Sequence, residues 1–267
     1  MHPVLNIAIQ AARRAGNVIL RYSNQLDRVA IETKGRNDFV TVVDRQAESE
    51  IIAVIQRAFP DHSILAEESG LNESDGSTYK WIIDPLDGTT NYLHGYPQFG
   101  ISIGVLNNGR LDQAVVFDPL RNEMFTASRG EGAKLNDRRI RVSSTTKMEN
   151  SLIGTGFPFR SYENLETWID CFREILPKTS GVRRAGSASL DLAHVASGRL
   201  DGFWEIGLSP WDISAGCLLI QEAGGIVSDF AGKQEFLASG NVVAGNPKIY
   251  EGVYRILKDK LPEHLKN

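Results

Sequence analysis

Two carboxylates, Asp84 and Asp87, close the apolar run of residues 81–91, "WIIDPLDGTTN", and the chain passes from them straight into Gly88-Thr89-Thr90. Pro85 fixes its own φ and keeps Asp84 out of the helical region, so both acids sit on a stiff turn. Held that close, they repel each other unless a proton or a cation stands between them. An all-oxygen donor set with no His or Cys nearby suits a hard cation, Mg²⁺ or Mn²⁺, rather than Zn²⁺. Gly88, Thr89 and Thr90 add backbone N–H groups and two hydroxyls, which at the start of a short helix form an anion seat. A cation site beside an anion site means metal-assisted phosphoryl chemistry. By spacing alone, an ordinary acidic turn whose Thr hydroxyls cap a helix explains the same residues equally well.

Other acids also fall at the ends of expected elements: Glu67-Glu68 after "SILA", Asp212 after Trp211, Glu205 at the end of "DGFWE", and Asp44 at a helix start. Rigid termini hold functional groups with little positional slack, although a lone acid there is ordinarily a cap. The elements that carry them follow from periodicity. Leu5, Ala8, Ala12, Ala15 and Ile19 repeat at helical spacing, which predicts a helix over roughly residues 3–22. A second helix is expected from about Asp44 to Phe59, capped by Thr41 or Asp44 and stopped by Pro60. "HSILAEES", "YKWIID", "FGISIGVL", "LDQAVVFDP" and "NEMFTASRG" read as strands of a mostly antiparallel sheet, with the polar stretch "GLNESDGST" as a loop. Further along, "NSLIGTGFPF", "LDGFWEI", "AGGIVSD" and "NVVAG" read as strands. Residues 163–176, "SASLDLAHVASGR" and "DISAGCLLIQEAGG" read as helices, and a last helix opens at Asn246-Pro247. The pattern is α/β: an α+β half over about 1–145 and an α/β half over about 146–267, joined as a single domain.

The chain has 267 residues, 42% hydrophobic and 23% charged, enough for a sizeable core. A net charge of −4 argues against a dedicated nucleic-acid binder, so no direct sequence-specific nucleic-acid contact is expected. Cys171 and Cys217 lack metal-type spacing and read as reduced core thiols. His2, His62, His94, His194 and His264 are scattered and read as surface or core residues. With no secretory signal and no apolar run of about 18 residues, a soluble cytoplasmic chain without membrane contact is expected.

"WIIDPLDGTTN" and "WDISAG" (211–216) resemble the two signatures of the inositol monophosphatases, in the Mg²⁺-dependent, Li⁺-sensitive superfamily that includes fructose-1,6-bisphosphatase. "KGRNDFVTVVD", "AEES", "GFPF" and "RRAGSASLDLAHVASGRLDGFWEIG" are similar to further family segments in the same order, and the last resembles the bacterial inositol-1-monophosphatase branch. The resemblance implies a layered αβαβα sandwich and two or three Mg²⁺ per site, with Mn²⁺ as a substitute. It implies a first metal on Glu67, Asp84 and the Leu86 carbonyl, and a second on Asp84, Asp87 and Asp212. It places Glu67, Thr89, Asp44 and Lys34 around the attacking water. Leu86, Asp87, Gly88, Thr89, Arg183, Gly186, Ser187, Ala188, Glu205 and Asp212 face the substrate, with Gly88 and Thr89 at the phosphate and Glu205 on an inositol hydroxyl.

The activity so implied is hydrolysis of a phosphate monoester, foremost myo-inositol 1-phosphate. Related signatures serve phosphatases of other sugar and nucleotide phosphates, which stand as the alternative substrates. The bacterial branch also implies a homodimer, and a partnership with RNA polymerase and antitermination factors in ribosomal RNA synthesis. Catalysis and this second role are expected together; the alternative is a chain that is mainly a protein-interaction scaffold, and Arg183-Arg184 would suit an interface.

Overall fold

The apolar stripe near the N-terminus becomes α1 (Pro3–Ser23), which buries Leu5, Ala8, Ala12, Ala15 and Ile19. The structure, a computed structural model, describes residues 2–23, 31–35, 38–158 and 162–266, with 31–35 and 38–40 described by their backbone alone. An antiparallel pair, β1 (Ile31–Gly35) and β2 (Asp38–Thr41), leads into α2 (Val42–Ala58). That helix starts two residues before Asp44 because Thr41 is its cap. The Thr41 hydroxyl accepts from the Val43 and Asp44 N–H groups, and the Asp44 carboxylate accepts from Thr41 N in return.

The next elements are β3 (Ser63–Ala66), β4 (Gly70–Asn72), β5 (Tyr79–Asp87), the short helix α3 (Thr89–Leu93), β6 (Gly100–Asn107), β7 (Arg110–Asp118), β8 (Glu123–Ser128), β9 (Gly132–Leu135) and β10 (Arg138–Arg139). Their sheet runs β10-β9-β8-β7-β6-β5-β3-β4 and is antiparallel except where β3 meets β5. Part of "GLNESDGST", expected as loop, is thus strand β4, because Leu65 pairs with Leu71 and Ala66 with Gly70 across a tight turn.

After β10 the chain changes sheet. It continues through β11 (Leu152–Thr155), α4 (Leu165–Ile175), β12 (Gly181–Arg183), α5 (Ala188–Ala196), β13 (Gly202–Glu205), α6 (Pro210–Glu222), β14 (Ile226–Ser228), α7 (Phe236–Ser239), β15 (Val242–Gly245) and α8 (Pro247–Lys260). The second sheet runs β12-β11-β13-β15-β14, with β11 parallel to both of its neighbours. "GTGFPF" was expected to extend β11, but the strand stops at Thr155.

Period-two alternation explains the layering. Val115 joins a core with α1 and α2, while Val116 joins a second core with α5 and α6. Phe203 and Val242 face that second core, whereas Trp204 and Val243 face a third with α4 and α8. The stack is therefore helices, sheet, helices, sheet, helices. Both thiols are buried and free, and no described helix is long and apolar enough to cross a membrane.

Candidate active site

In an unbroken strand, residues three apart point to opposite faces, so Asp84 and Asp87 could not share a site. The β5–β6 register resolves this. Asp84 pairs with Ser102 and Asp87 with Gly100, which leaves an extra residue on β5 at Pro85-Leu86. This bulge re-aims the strand end. One carboxylate oxygen each from Asp84, Asp87 and Asp212 then lie within 4.8 Å of one another. Asp212 arrives from the first turn of α6, where it also accepts Ser209 N at 2.7 Å. The helix is docked by Ser102 Oγ donating to the Trp211 carbonyl at 2.9 Å, one strand over from the bulge.

Each acid is held by the fold. Asp84 Oδ1 accepts Leu86 N at 2.9 Å. Asp87 Oδ2 takes three donors from the start of α5: Ser187 Oγ at 2.6 Å, Ser189 N at 2.7 Å and Ser189 Oγ at 2.6 Å. Thr89 Oγ1 stands 3.0 Å from both Asp44 Oδ1 and the Leu86 carbonyl. Gly88 has φ of +95° and lies so close to the Gln98 and Gly186 carbonyls that no side chain fits. Asn91 Nδ2 donates to the Gln98 carbonyl at 2.7 Å and the Ala185 carbonyl at 2.9 Å, tying α3 to the loop before α5.

These groups line a cleft of about 340 Å³, the size of a small ligand. Glu67 borders it from the β3–β4 turn, and Gly186, Ser187, Ala188 and Glu205 also line it. Arg184, not Arg183, reaches the rim, where its guanidinium lies 4.8 Å over the Phe157 ring. Arg183 is the last residue of β12 and donates instead to the Val182 carbonyl at 3.1 Å, away from the cleft. The side chain of Lys34 lies outside the described residues. Two groups the sequence reading missed belong here: Ser189, on Asp87, and Asp191, only 3% exposed and lining the cleft. The one signal for Asp191 was a charge amid the apolar residues of "SLDLAHVA".

Burial pushes the Asp84 carboxyl well above its ordinary range, and the charges of Glu67, Asp87 and Asp212 push it further. Asp87 is raised by burial against the pull of its Ser187 and Ser189 donors. Burial also raises Glu205, opposed by the Arg184 charge. Asp84 and Asp87, which resist ionising beside the Glu67 and Asp212 carboxylates, are what a hard divalent cation would relieve, so the donor set fits Mg²⁺. The sign follows: a carboxyl raised above its unfolded value of 3.8 supports the metal-free fold below that pH and loses this support as pH rises through the folded value. Because protons compete with the cation, added Mg²⁺ will raise Tm more at pH 8 than at pH 5, checked by melting curves across pH. An increment independent of pH would contradict this account.

Residues 1–261 match the inositol monophosphatase family, and the chain belongs to that family. It is 53% identical over 270 residues to Nus factor SuhB of Pseudomonas aeruginosa, covering 100% of both chains. The structure of the extragenic suppressor protein suhB from Bartonella henselae superposes with a TM-score of 0.94 at 40% identity, over 97% of this chain and 100% of that one. The inositol monophosphatase of Anabaena gives 0.85 at 42% identity, over 97% of this chain and 96% of that one.

Proposed function

We propose that this chain hydrolyses small phosphate monoesters with Mg²⁺, foremost myo-inositol 1-phosphate. The observation that carries this is the convergence of Asp84, Asp87 and Asp212 within 4.8 Å, beside Glu67 and the Gly88-Thr89 turn. Glu67, Asp84, Asp87, Asp212 and the Leu86 carbonyl would hold Mg²⁺, which supplies an activated water and offsets charge on the phosphoryl oxygens. Thr89 Oγ1, held between Asp44 and the Leu86 carbonyl, orients the attacking water together with Glu67. The Gly88 and Thr89 N–H groups receive the phosphoryl oxygens. Glu205 and Asp191, which also line the cleft, are acceptors for hydroxyls, which supports a polyol ester. A Cβ on Gly156 would overlap the Glu205 carboxylate, so Gly156→Ala displaces it. The expected result is a fall in kcat/KM for inositol 1-phosphate of about 10–100-fold, with p-nitrophenyl phosphate little affected. The deciding assay of the function is phosphate release from inositol 1-phosphate with and without Mg²⁺, and with Li⁺ as inhibitor. No Mg²⁺-dependent turnover would sink the enzymatic reading.

The full-length likeness to a protein named a Nus factor favours a second role, as an antitermination partner of RNA polymerase; a cytoplasmic homodimer is proposed with it. Expression of Asp87→Asn in a strain lacking this protein separates the roles. Rescue by that inactive variant supports the scaffold role, and failure ties the phenotype to catalysis.

A further inference from the structure

Glu67 stands in the three-residue turn between β3 and β4, a place where backbone is ordinarily free to move. Here it is gripped on both sides. Its own N–H donates to the Ile83 carbonyl at 3.1 Å, next to Asp84 on β5. The two N–H groups that follow, of Glu68 and Ser69, donate to Glu48 Oε2 and Oε1, each at 2.9 Å. Glu48 is 3% exposed and lies on α2 one turn beyond Asp44, which holds Thr89. Residues four apart share a helix face. One face of α2 therefore holds both the turn carrying Glu67 and the turn carrying Thr89.

We infer that Glu48 is a positioning residue that fixes the Glu67 turn against β5 and thereby sets the affinity of the cation site; this rests on the metal-binding reading above. Two carboxylate oxygens can accept two successive N–H groups, whereas an amide offers one oxygen and presents a donor to the second. Burying a further acid beside an acidic cleft is unfavourable, which a turn needing only closure would avoid. The test is Mn²⁺ binding to the full chain without substrate, by calorimetry and by the electron paramagnetic resonance of free Mn²⁺. Glu48→Gln is expected to weaken binding about 10-fold, the size of effect outer-shell partners have, with KM at saturating metal unchanged. Should that variant not fold, Glu48→Asp retracts the carboxylate by one methylene and carries the same test. Wild-type affinity in a variant that only melts earlier would overturn the inference and leave Glu48 a structural clamp. A wild-type chain that binds no Mn²⁺ overturns the metal-binding reading itself.

Discussion

Asp84→Asn will lower Mg²⁺-dependent phosphate release by on the order of 1,000-fold while raising the melting temperature of the metal-free protein. Both effects have one cause. Asp84 is buried among Glu67, Asp87 and Asp212, and each of those charges opposes its ionisation. Asn keeps the shape and can still accept the Leu86 N–H, but it removes a charge that only a cation would offset. A site built for a ligand destabilises the fold that carries it, so removing the charge recovers stability at the expense of activity. Each kcal/mol recovered is worth roughly 2–4 °C in a chain of this size. Melting curves without metal, set beside the phosphate assay, check both halves. A variant that melts lower than wild type without metal would contradict the repulsion argument, and one that keeps its turnover would remove Asp84 from the residues that would hold the cation.

Gly88→Ala, four residues away, will also abolish activity, but with the opposite effect on stability. At φ of +95° an L side chain is strained, and its Cβ would lie 2.9 Å from the Gln98 carbonyl and 3.2 Å from that of Gly186. Both neighbours are backbone, and Asn91 holds the Gln98 carbonyl and that of Ala185 beside Gly186, so neither can swing aside as a flexible side chain would. Strain and overpacking together cost about 2–4 kcal/mol, readable as a lower urea midpoint at unchanged slope. Phosphate release falls with it, because the N–H groups proposed to meet the phosphoryl oxygens move. Near wild-type stability would mean the turn relaxes more freely than its contacts allow. Stabilisation at Asp84 and destabilisation at Gly88, with activity lost in both, distinguish a charge effect from a backbone effect within one turn.

Much of this was readable from residue types. Helical spacing predicted α1 nearly to its ends, and Thr41 with Asp44 marked the start of α2. Pro85 and Gly88 marked a stiff place after an apolar run, although it proved to be a bulged strand rather than a turn. The one-turn α7 and three-residue β12 escaped notice, being too short to show a period. "GTGFPF" looked like continuing strand, yet Gly156 is there to let Glu205 in, a reason invisible without β13 alongside.

By itself the sequence determined which groups are available: oxygen acids at element ends, a glycine where only glycine fits, and no thiol or imidazole suited to the work. Those are local properties, set by residue type and spacing. Only the tertiary structure decided which groups meet. Arg183 and Arg184 are adjacent, yet only Arg184 lines the cleft, the chain leaving β12 between them. Asp191 and Ser189 enter the site because α5 is wedged between two sheets, and Glu48 because α2 lies across the β3–β4 turn. Partners far apart in the chain are chosen by packing, and no spacing along the sequence encodes that choice.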